Sequence, residues 1–305
     1  MFNYKKVSII GCGNVGMTAA YAMVLEGIAD ELVLVSRHRQ DAIGEELDLQ
    51  HGMTFLTKTK IKATDNYQDI VNSTVVVITA GAAQNPGETR LDLTQKNTAI
   101  ISEIIPQIVY HAPNAIILMV SNPVDILTYK AYQLANLPKG RIFGTGTTLD
   151  TARYRFHLSE FLHVNPKSIH AYILGEHGDS SFPVIAGANI GGQPLSTYPG
   201  FSTQRAEKAY LNTRNAAYKI IESKGATYYG IGAVILHIVR TILRDEKSIL
   251  PVSVPLHQYF GHSGVALSVP CVIGKDGVEQ ILEIKLSWEE KQNLEKSVKA
   301  LKKYL

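Results

Sequence analysis

The amino-acid sequence predicts an α/β fold, with a doubly wound parallel sheet followed by a mixed α+β domain. Apolar, strand-like runs alternate with helical patterns through the first half of the 305-residue chain, and a glycine-rich turn joins the first run to the first helix. Such alternation is typical of parallel strands covered by helices. The pattern changes near residue 145, so we expect one domain over residues 1–145 and a second over residues 146–305.

Composition indicates a soluble globular chain, with 45% hydrophobic and 19% charged residues. The net charge of +3 comes from 30 basic and 27 acidic residues, a balance that favours neither a nucleic-acid nor a membrane partner. Two cysteines, Cys12 and Cys271, provide neither a disulfide framework nor a four-ligand zinc site, so we expect no metal. Because we find no cleavable N-terminal segment and no run long enough to span a membrane, we expect a cytoplasmic location.

The first motif is a glycine turn between two predicted strands, at residues 7–10 and 31–36. Gly11, Gly13 and Gly16 form a G-x-G-x-x-G pattern that opens a helix. Gly11 permits the tight turn, Gly13 lets the backbone approach a pyrophosphate, and Gly16 lets helix and strand pack closely. Phosphates would lie on the helix N-terminus, whose amides and dipole favour anions. The strand–turn–helix–strand context therefore predicts a Rossmann-type dinucleotide site.

The end of the second strand normally carries an acid that binds the ribose hydroxyls. This chain has Ser36 there, followed by Arg37, His38 and Arg39. Without the carboxylate, a 2′-phosphate meets less repulsion, and the arginines could pair with it. Alternatively, Ser36 makes a weaker hydroxyl contact while the arginines face water. We predict NAD as the cofactor and leave NADP open.

Ligands bind at the carboxyl ends of the strands in such a sheet, where Gly81, Ser121 and Thr145 fall. The remaining elements predicted for the first domain are strands at residues 73–80, 115–120 and 141–144, with helices at residues 91–110 and 124–136. Those predicted for the second domain are helices at residues 149–162, 203–223, 227–244 and 288–304, strands before His177 and around Val252 and Val269, and an extended glycine-rich segment at residues 187–200.

His177 follows an apolar run and lies between two acids and two glycines. A lone histidine in such a position is more often structural than catalytic, so its role depends on what other segments bring to it. Asp150 and Arg153 share a face at a predicted helix start, as a local ion pair or as part of a site. The polar loop ending at Arg90 is either an ordinary solvated loop or a lid that carries its arginine onto a substrate.

Together these segments resemble the L-lactate/malate dehydrogenase family, and bacterial L-lactate dehydrogenases in particular. The resemblance covers essentially the whole chain, with matching order and approximate spacing. It implies a nicotinamide-dependent oxidoreductase of glycolysis and fermentation whose second domain is catalytic, and a homotetramer. The segments that carry it are the glycine turn, the loop to Arg90, and residues 121–125, 149–153, 175–179 and 224–230.

The resemblance implies a role for each matching residue. His177 would be the acid/base that takes the hydroxyl proton of a 2-hydroxy acid as hydride leaves C2. Asp150 would hold its other ring nitrogen and raise its pKa. Arg153 would grip the substrate carboxylate, and Arg90 would polarise the carbonyl. Further substrate contacts would come from Asn122 and Thr227. The implied cofactor contacts are Gly11, Gly13, Val15, Gly16, Ser36, Tyr67, Gly81, Ala82, Ser121, Asn122 and Thr145.

Gln84 bears on the substrate. Malate enzymes of the family carry an arginine there, which matches a second substrate carboxylate, whereas this residue is neutral. An unpaired carboxylate in a closed pocket costs several kcal/mol, and about 4 kcal/mol is a thousandfold in rate. We therefore predict pyruvate and L-lactate, with malate or other, slightly larger 2-hydroxy acids as the alternative.

Arg155 and His170 match positions at which bacterial members resemble one another in binding fructose 1,6-bisphosphate across a subunit interface. Both side chains can be cationic, as a phosphate site needs, but related enzymes without this regulation can keep both. Allosteric activation therefore stays open.

The sequence disfavours two other classes of function. An NAD-dependent glycoside hydrolase would need a metal held by Cys and His, but Cys12 lies in the phosphate turn and Cys271 in a late apolar strand. A non-catalytic nucleotide sensor would not need an acid/base residue such as His177 together with its charged partners. Both classes are disfavoured, and metal analysis would test the first.

Overall fold

A computed structural model of the chain describes residues 4–82 and 90–305, with only the backbone of Arg90. The strands are β1 (Lys6–Ile10), β2 (Glu31–Val35), β3 (Lys60–Thr64), β4 (Val75–Ile78), β5 (Ile116–Met119), β6 (Ile142–Gly144), β7 (Ile169–Leu174), β8 (Phe182–Ile190), β9 (Gln193–Pro194), β10 (Ser248–Pro255), β11 (Ala266–Gly274) and β12 (Gly277–Ile281). The helices are α1 (Asn14–Glu26), α2 (Gln40–His51), α3 (Arg90–His111), α4 (Val124–Ala135), α5 (Thr148–Leu162), α6 (Thr203–Lys224), α7 (Tyr229–Arg244) and α8 (Trp288–Lys302).

A nine-stranded sheet forms the centre of the molecule, in the order β12-β11-β10-β6-β5-β4-β1-β2-β3. Strands β1 to β6 pair in parallel. The chain adds β2 and β3 on one side of β1 and β4 to β6 on the other, so the strand order reverses between β1 and β4. Every residue of β1, β2, β4 and β5 is buried, as expected for parallel strands covered on both faces. This confirms the doubly wound α/β fold and places a ligand crevice at the reversal point.

The two faces of the sheet are packed by separate sets of helices. Ile9 belongs to the core on one face, together with Met23 of α1 and Ile238 of α7. The next residue, Ile10, points to the other face and joins a core with Ile105 of α3. Successive side chains of a strand alternate between faces, so an uninterrupted apolar strand serves both cores at once.

The late strands differ from the sequence expectation in one respect. The sequence places strands around Val252 and Val269 in the second domain, but β10, β11 and β12 extend the sheet of the first half. Ser253 of β10 pairs antiparallel with Gly144 of β6. Pairing partners this far apart in the chain leave no local pattern, which is why periodicity did not reveal the connection. A second, three-stranded sheet contains β7, β8 and β9.

Helix α2 and strands β3, β8 and β12 were not predicted from the sequence, which indicated only an extended segment at residues 187–200. Only two residues of α2 are buried, and β3 carries two lysines, so neither has a strong apolar pattern. Within residues 4–82 and 90–305, no helix combines the length and the apolar composition that crossing a bilayer requires.

The glycine turn after β1 is tightly constrained. Gly11 has φ +110°, and a Cβ atom on it would lie 2.5 Å from the main-chain nitrogen of Ala80. A Cβ on Gly16 would lie 2.1 Å from the carbonyl oxygen of Gly11. By contrast, a Cβ on Gly13 would have no neighbour within 4 Å. The turn is therefore closed on the protein side and open on the side that a ligand would approach.

Candidate active site

Two cavities lie at the carboxyl ends of the parallel strands. The smaller, about 320 Å³, is lined by the start of α1, the start of α5, the turn that contains His177, and the α6–α7 junction. The larger, about 800 Å³, extends along the glycine turn and the ends of β2 and β4. The sequence-predicted residues that line the smaller cavity are Val15, Asn122, Thr145, Asp150, Arg153, His177 and Thr227.

His177, Asp150 and Arg153 form a connected group. Helix α5 begins at Thr148, so Asp150 is in its first turn and Arg153 follows on the same face. His177 Nδ1 lies 2.6 Å from Asp150 Oδ2, and Arg153 Nη1 donates to Asp150 Oδ1 at 3.2 Å. Because Nδ1 is occupied by the carboxylate, Nε2 is the ring nitrogen left for a ligand in the cavity.

The group is electrostatically coupled. Burial lowers the pKa of His177, but the charge and hydrogen bond of Asp150 outweigh it and raise the pKa above its usual value. Burial raises the pKa of Asp150, but the attraction of His177 and Arg153 prevails, and this pKa is lowered. An imidazolium beside a carboxylate is therefore favoured, and the histidine holds its proton more strongly than a free side chain does.

Asp125, a buried acid with no assigned role in the sequence analysis, holds the backbone of the histidine. The main-chain N–H of His177 donates to Asp125 Oδ2 at 2.7 Å, and the hydroxyl of Ser253 donates to Oδ1 at 2.6 Å. Asp125 is 3% exposed, and burial raises its pKa to about 6 despite these hydrogen bonds. An acid in an otherwise apolar helix start was the sequence signal for it.

Ser268 of β11 connects the two partners of the histidine–carboxylate pair. Its main chain exchanges hydrogen bonds with Gly175, at 2.9 and 3.1 Å, two residues before His177. Its hydroxyl accepts the main-chain N–H of Thr147 at 3.0 Å, just before α5. One strand of the antiparallel extension thus fixes both segments that form the pair.

Asn97 of α3 is a further residue that the sequence analysis missed. It is 2% exposed, its Nδ2 donates to the carbonyl of Asn122 at 2.7 Å, and its Oδ1 accepts the N–H of Ala82 at 2.7 Å. The peptide between Asn122 and Pro123 is cis. The sequence signal available for Asn97 was an amide side chain on the apolar face of a predicted helix. Asn97 ties the end of β4 to a predicted substrate residue.

The predicted cofactor residues divide between the two cavities and their walls. Val15, Asn122 and Thr145 line the smaller cavity. Gly16 and Ser121 support the walls: Gly16 packs on the glycine turn, and the Ser121 hydroxyl donates to the carbonyl of Ala80 at 2.6 Å. The predicted residues that line the larger cavity are Gly11, Gly13, Ser36, Tyr67, Gly81 and Ala82.

These residues fit a dinucleotide. Gly13 is the N-cap of α1 and no side chain caps it, so first-turn amides are available to an anion. The open face of Gly13 and the larger cavity accommodate a pyrophosphate and its flanking groups. Among the residues that the structure describes, no group of three or more His, Cys, Asp or Glu side chains could hold a metal ion.

Charges of both signs surround Ser36. Arg37 and His38 line the larger cavity, but so do Asp41 and Asp65. Arg39 is engaged elsewhere, because its Nε donates to the carbonyl of Ala63 at 3.2 Å. The basic segment after β2 therefore faces carboxylates within the same cavity.

The predicted effector residues lie near each other. Arg155 Nε donates to the carbonyl of Ala171 at 2.9 Å, and its guanidinium lies 5.3 Å from the ring centroid of Tyr172. His170, the neighbour of Ala171, is exposed on β7. Two other predicted site residues fall outside what the structure describes: Gln84 entirely, and Arg90 in its side chain.

Comparisons with known proteins identify the family of the chain. A model for the lactate/malate dehydrogenase NAD binding domain matches residues 5–144, and one for the lactate/malate dehydrogenase alpha/beta C-terminal domain matches residues 147–305. The chain belongs to the lactate/malate dehydrogenase family. This confirms the resemblance on which the residue roles depend.

Relatives from this family are similar over nearly their full length. L-lactate dehydrogenase 1 of Clostridium acetobutylicum is 46% identical over 305 residues, which is 98% of this chain and 97% of that one. An L-lactate dehydrogenase of Kosmotoga olearia is 47% identical, with 97% and 94% covered. A crystal structure of a lactate dehydrogenase from a Medee basin deep-sea metagenome library has a TM-score of 0.94 at 41% identity, with 99% and 98% covered. The minor L-lactate dehydrogenase of Enterococcus mundtii gives 0.95 at 39%, with the same coverage.

The contact with Asp150 makes the pKa of His177 depend on the charge at residue 150. Asp150→Asn removes the charge but leaves the imidazole largely shielded from water, so the pKa of His177 should fall below the ordinary value of about 6.5. An NMR titration of the His177 ring measures it, and an unchanged or higher pKa would contradict the electrostatic account.

Asp150→Asn should also change how the stability of the protein depends on pH. The pair needs an ionised Asp150 and a protonated His177. The stability lost in Asp150→Asn should be greatest between about pH 4 and 6.5 and shrink as pH rises through the raised pKa of His177. Chemical unfolding of parent and variant across this range measures the difference.

Proposed function

We propose that this chain is an NAD-dependent L-lactate dehydrogenase that interconverts L-lactate and pyruvate. The observation that carries the proposal is the shared cavity of His177, Asp150 and Arg153, which Val15 of the dinucleotide-binding helix also lines. An acid/base pair, a carboxylate-binding cation and a dinucleotide site thus meet in one place. A nucleotide sensor would need only the last, and family membership favours a dehydrogenase over a glycoside hydrolase.

The residues of the smaller cavity transfer the proton and orient the substrate. When bound, a nicotinamide supplies the hydride acceptor or donor. His177 Nε2 takes the hydroxyl proton of lactate, and Asp150 stabilises the imidazolium that results. In the reverse direction, the raised pKa of His177 keeps that proton available for the forming alkoxide.

Binding the substrate carboxylate falls to Arg153. One of its nitrogens is occupied by Asp150, which leaves donors of the planar guanidinium for a second, two-oxygen partner. Asn122 and Thr227 line the same cavity and would contact the substrate oxygen and side chain. On the family resemblance, we assign Arg90 the role of the cation that stabilises charge on the carbonyl oxygen of the substrate.

The activity test is a substrate panel of pyruvate, oxaloacetate and 2-oxoisocaproate with NADH. Pyruvate should give the highest kcat/KM. His177→Ala should lose several orders of magnitude in kcat while binding NADH normally, because the imidazole moves the proton and does not hold the dinucleotide. His51→Ala, which removes an exposed histidine at the end of α2, is the matched control. Full turnover in His177→Ala would overturn the assignment.

Substrate choice rests on Gln84. Gln84→Arg places a cation where a dicarboxylate substrate would carry its second charge, so kcat/KM for oxaloacetate relative to pyruvate should rise about a hundredfold or more. Gln84→Lys tests whether charge alone is enough or the planar fork is needed. If neither variant changes the ratio, Gln84 is not the residue that separates lactate from malate chemistry.

Cofactor choice rests on Ser36 and its neighbours. We propose NAD as the principal cofactor with some use of NADP, since Arg37 and His38 favour a 2′-phosphate whereas Asp41 and Asp65 oppose it. Ser36→Asp should lower NADPH use relative to NADH by about tenfold, because the new carboxylate binds ribose hydroxyls and repels the phosphate. A parent enzyme with no NADPH activity would show that the basic residues play no part.

The proposal extends to regulation and assembly. Arg155 and His170, adjacent at the α5–β7 contact, suit a phosphate group, so fructose 1,6-bisphosphate belongs in the substrate panel as an effector. We propose a cytoplasmic homotetramer that works in glycolysis and fermentation. The same panel with the effector, and the mass of the protein in solution, test these parts.

A further inference from the structure

A partly buried chain of hydrogen bonds joins the C-terminal helix α8 to the turn that contains His177. Ser297 of α8 is 0% exposed, and its hydroxyl donates to the carbonyl of Ser180 at 2.6 Å. The Ser180 hydroxyl in turn donates to Glu176 Oε2 at 2.5 Å. We name these three residues, Ser297, Ser180 and Glu176, the α8 clamp. Glu176 directly precedes the catalytic histidine.

The turn and the helix are also in direct van der Waals contact. Gly175 has φ +90°, and a Cβ atom on it would lie 2.4 Å from the hydroxyl oxygen of Ser297. Only a glycine fits there, so the helix and the start of the turn approach as closely as a backbone allows. A shift of Ser297 would therefore be felt at Gly175 as well as at Ser180.

Helix α8 is itself anchored and so can act as a fixed support. Glu290 accepts the main-chain N–H groups of Ile185 at 2.7 Å and Ala186 at 3.1 Å, both in β8. Glu290 also completes a capping box with Ser287 at the helix start. These contacts are independent of the turn, so the clamp connects His177 to a part of the molecule that is held elsewhere.

We propose that Ser297 is a positioning residue for His177. Through Ser180 and Glu176, Ser297 fixes the position of the imidazole in the substrate cavity. Ser297 is not among the residues that line the cavity, so it acts on His177 through its contacts with Ser180 and Gly175. Asp125 holds the histidine from the α4 side, and the clamp holds its neighbours from the α8 side. The inference rests on the proposed function, because the placement of the ring matters for a proton that His177 must transfer.

The test compares two buried serines. Ser297→Ala breaks the clamp. Ser8→Ala is the matched control, since Ser8 is also 0% exposed and bonds Ser73 at 2.7 Å, but lies on β1 away from the turn. Ser297→Ala should lower kcat for pyruvate reduction about tenfold, because small misplacements of a reacting group cost that much or more, with KM for NADH unchanged. Ser8→Ala should keep the parent kcat.

A pH profile separates positioning from a merely structural role. Within the part of the chain that the structure describes, the charged groups that act on His177 are Asp150, Asp125 and Arg153. If Ser297→Ala tilts the imidazole away from Asp150, the ring loses its main source of pKa elevation. The limb of the kcat/KM profile assigned to His177 should then move to lower pH. Ser8→Ala should leave the profile in place, although both variants lose stability.

Ser180→Ala provides a second cut through the same clamp and should act in the same direction. A folded Ser297→Ala with the parent kcat and pH profile, or an equal loss in Ser8→Ala, overturns the inference. If Ser297→Ala does not fold, Ser180→Ala decides by the same criteria. An NMR titration of His177 in these variants measures ring placement without turnover, so the clamp and the proposed reaction can fail separately.

Discussion

The contact between His177 and Asp150 is the constraint on which the proposed active site depends. A carboxylate and an imidazole that are largely removed from water are stable together only if the geometry is good and the remaining acceptor positions are satisfied. Arg153 meets the second condition, because it bonds the other carboxylate oxygen. The first condition requires that two segments far apart in sequence, α5 and the histidine turn, bring Asp150 Oδ2 and His177 Nδ1 to within 2.6 Å of each other.

The pKa values of two aspartates near His177 are shifted in opposite directions. Asp150 is paired with two cationic groups, so its pKa is lowered although burial alone would raise it. Asp125 has a backbone N–H and the Ser253 hydroxyl as hydrogen-bond donors, and burial prevails, with a pKa of about 6. Asp150 is therefore favoured as a carboxylate beside the imidazole, whereas Asp125 accepts a hydrogen bond from the backbone of His177. Divergent environments of this kind separate chemical from supporting roles.

The sequence predicted the parts of this arrangement that leave local patterns. The glycine turn, the alternating elements and the segments around Asp150 and His177 each occupy a few consecutive residues, and their order identified the family. Asp125, Asn97 and Ser297 were not assigned roles. Each acts through hydrogen bonds to backbone atoms distant in the chain, and such contacts impose no spacing or periodicity that a single sequence reveals. Which serine of a helix lies against a turn is decided by packing, not by propensity.

The antiparallel extension of the sheet shows why the missed contacts matter together. Strand β10 pairs with β6 at Ser253, the residue that bonds Asp125, while Ser268 of the adjacent β11 bonds both the segment before α5 and the turn before His177. The parallel half of the sheet alone would hold a dinucleotide but would leave Asp150 and His177 without a common support. The second half of the chain therefore contributes more than a histidine. By continuing the sheet, it supports the segment before the carboxylate and the segment before the imidazole on one strand, and this shared support holds a short charged contact in place.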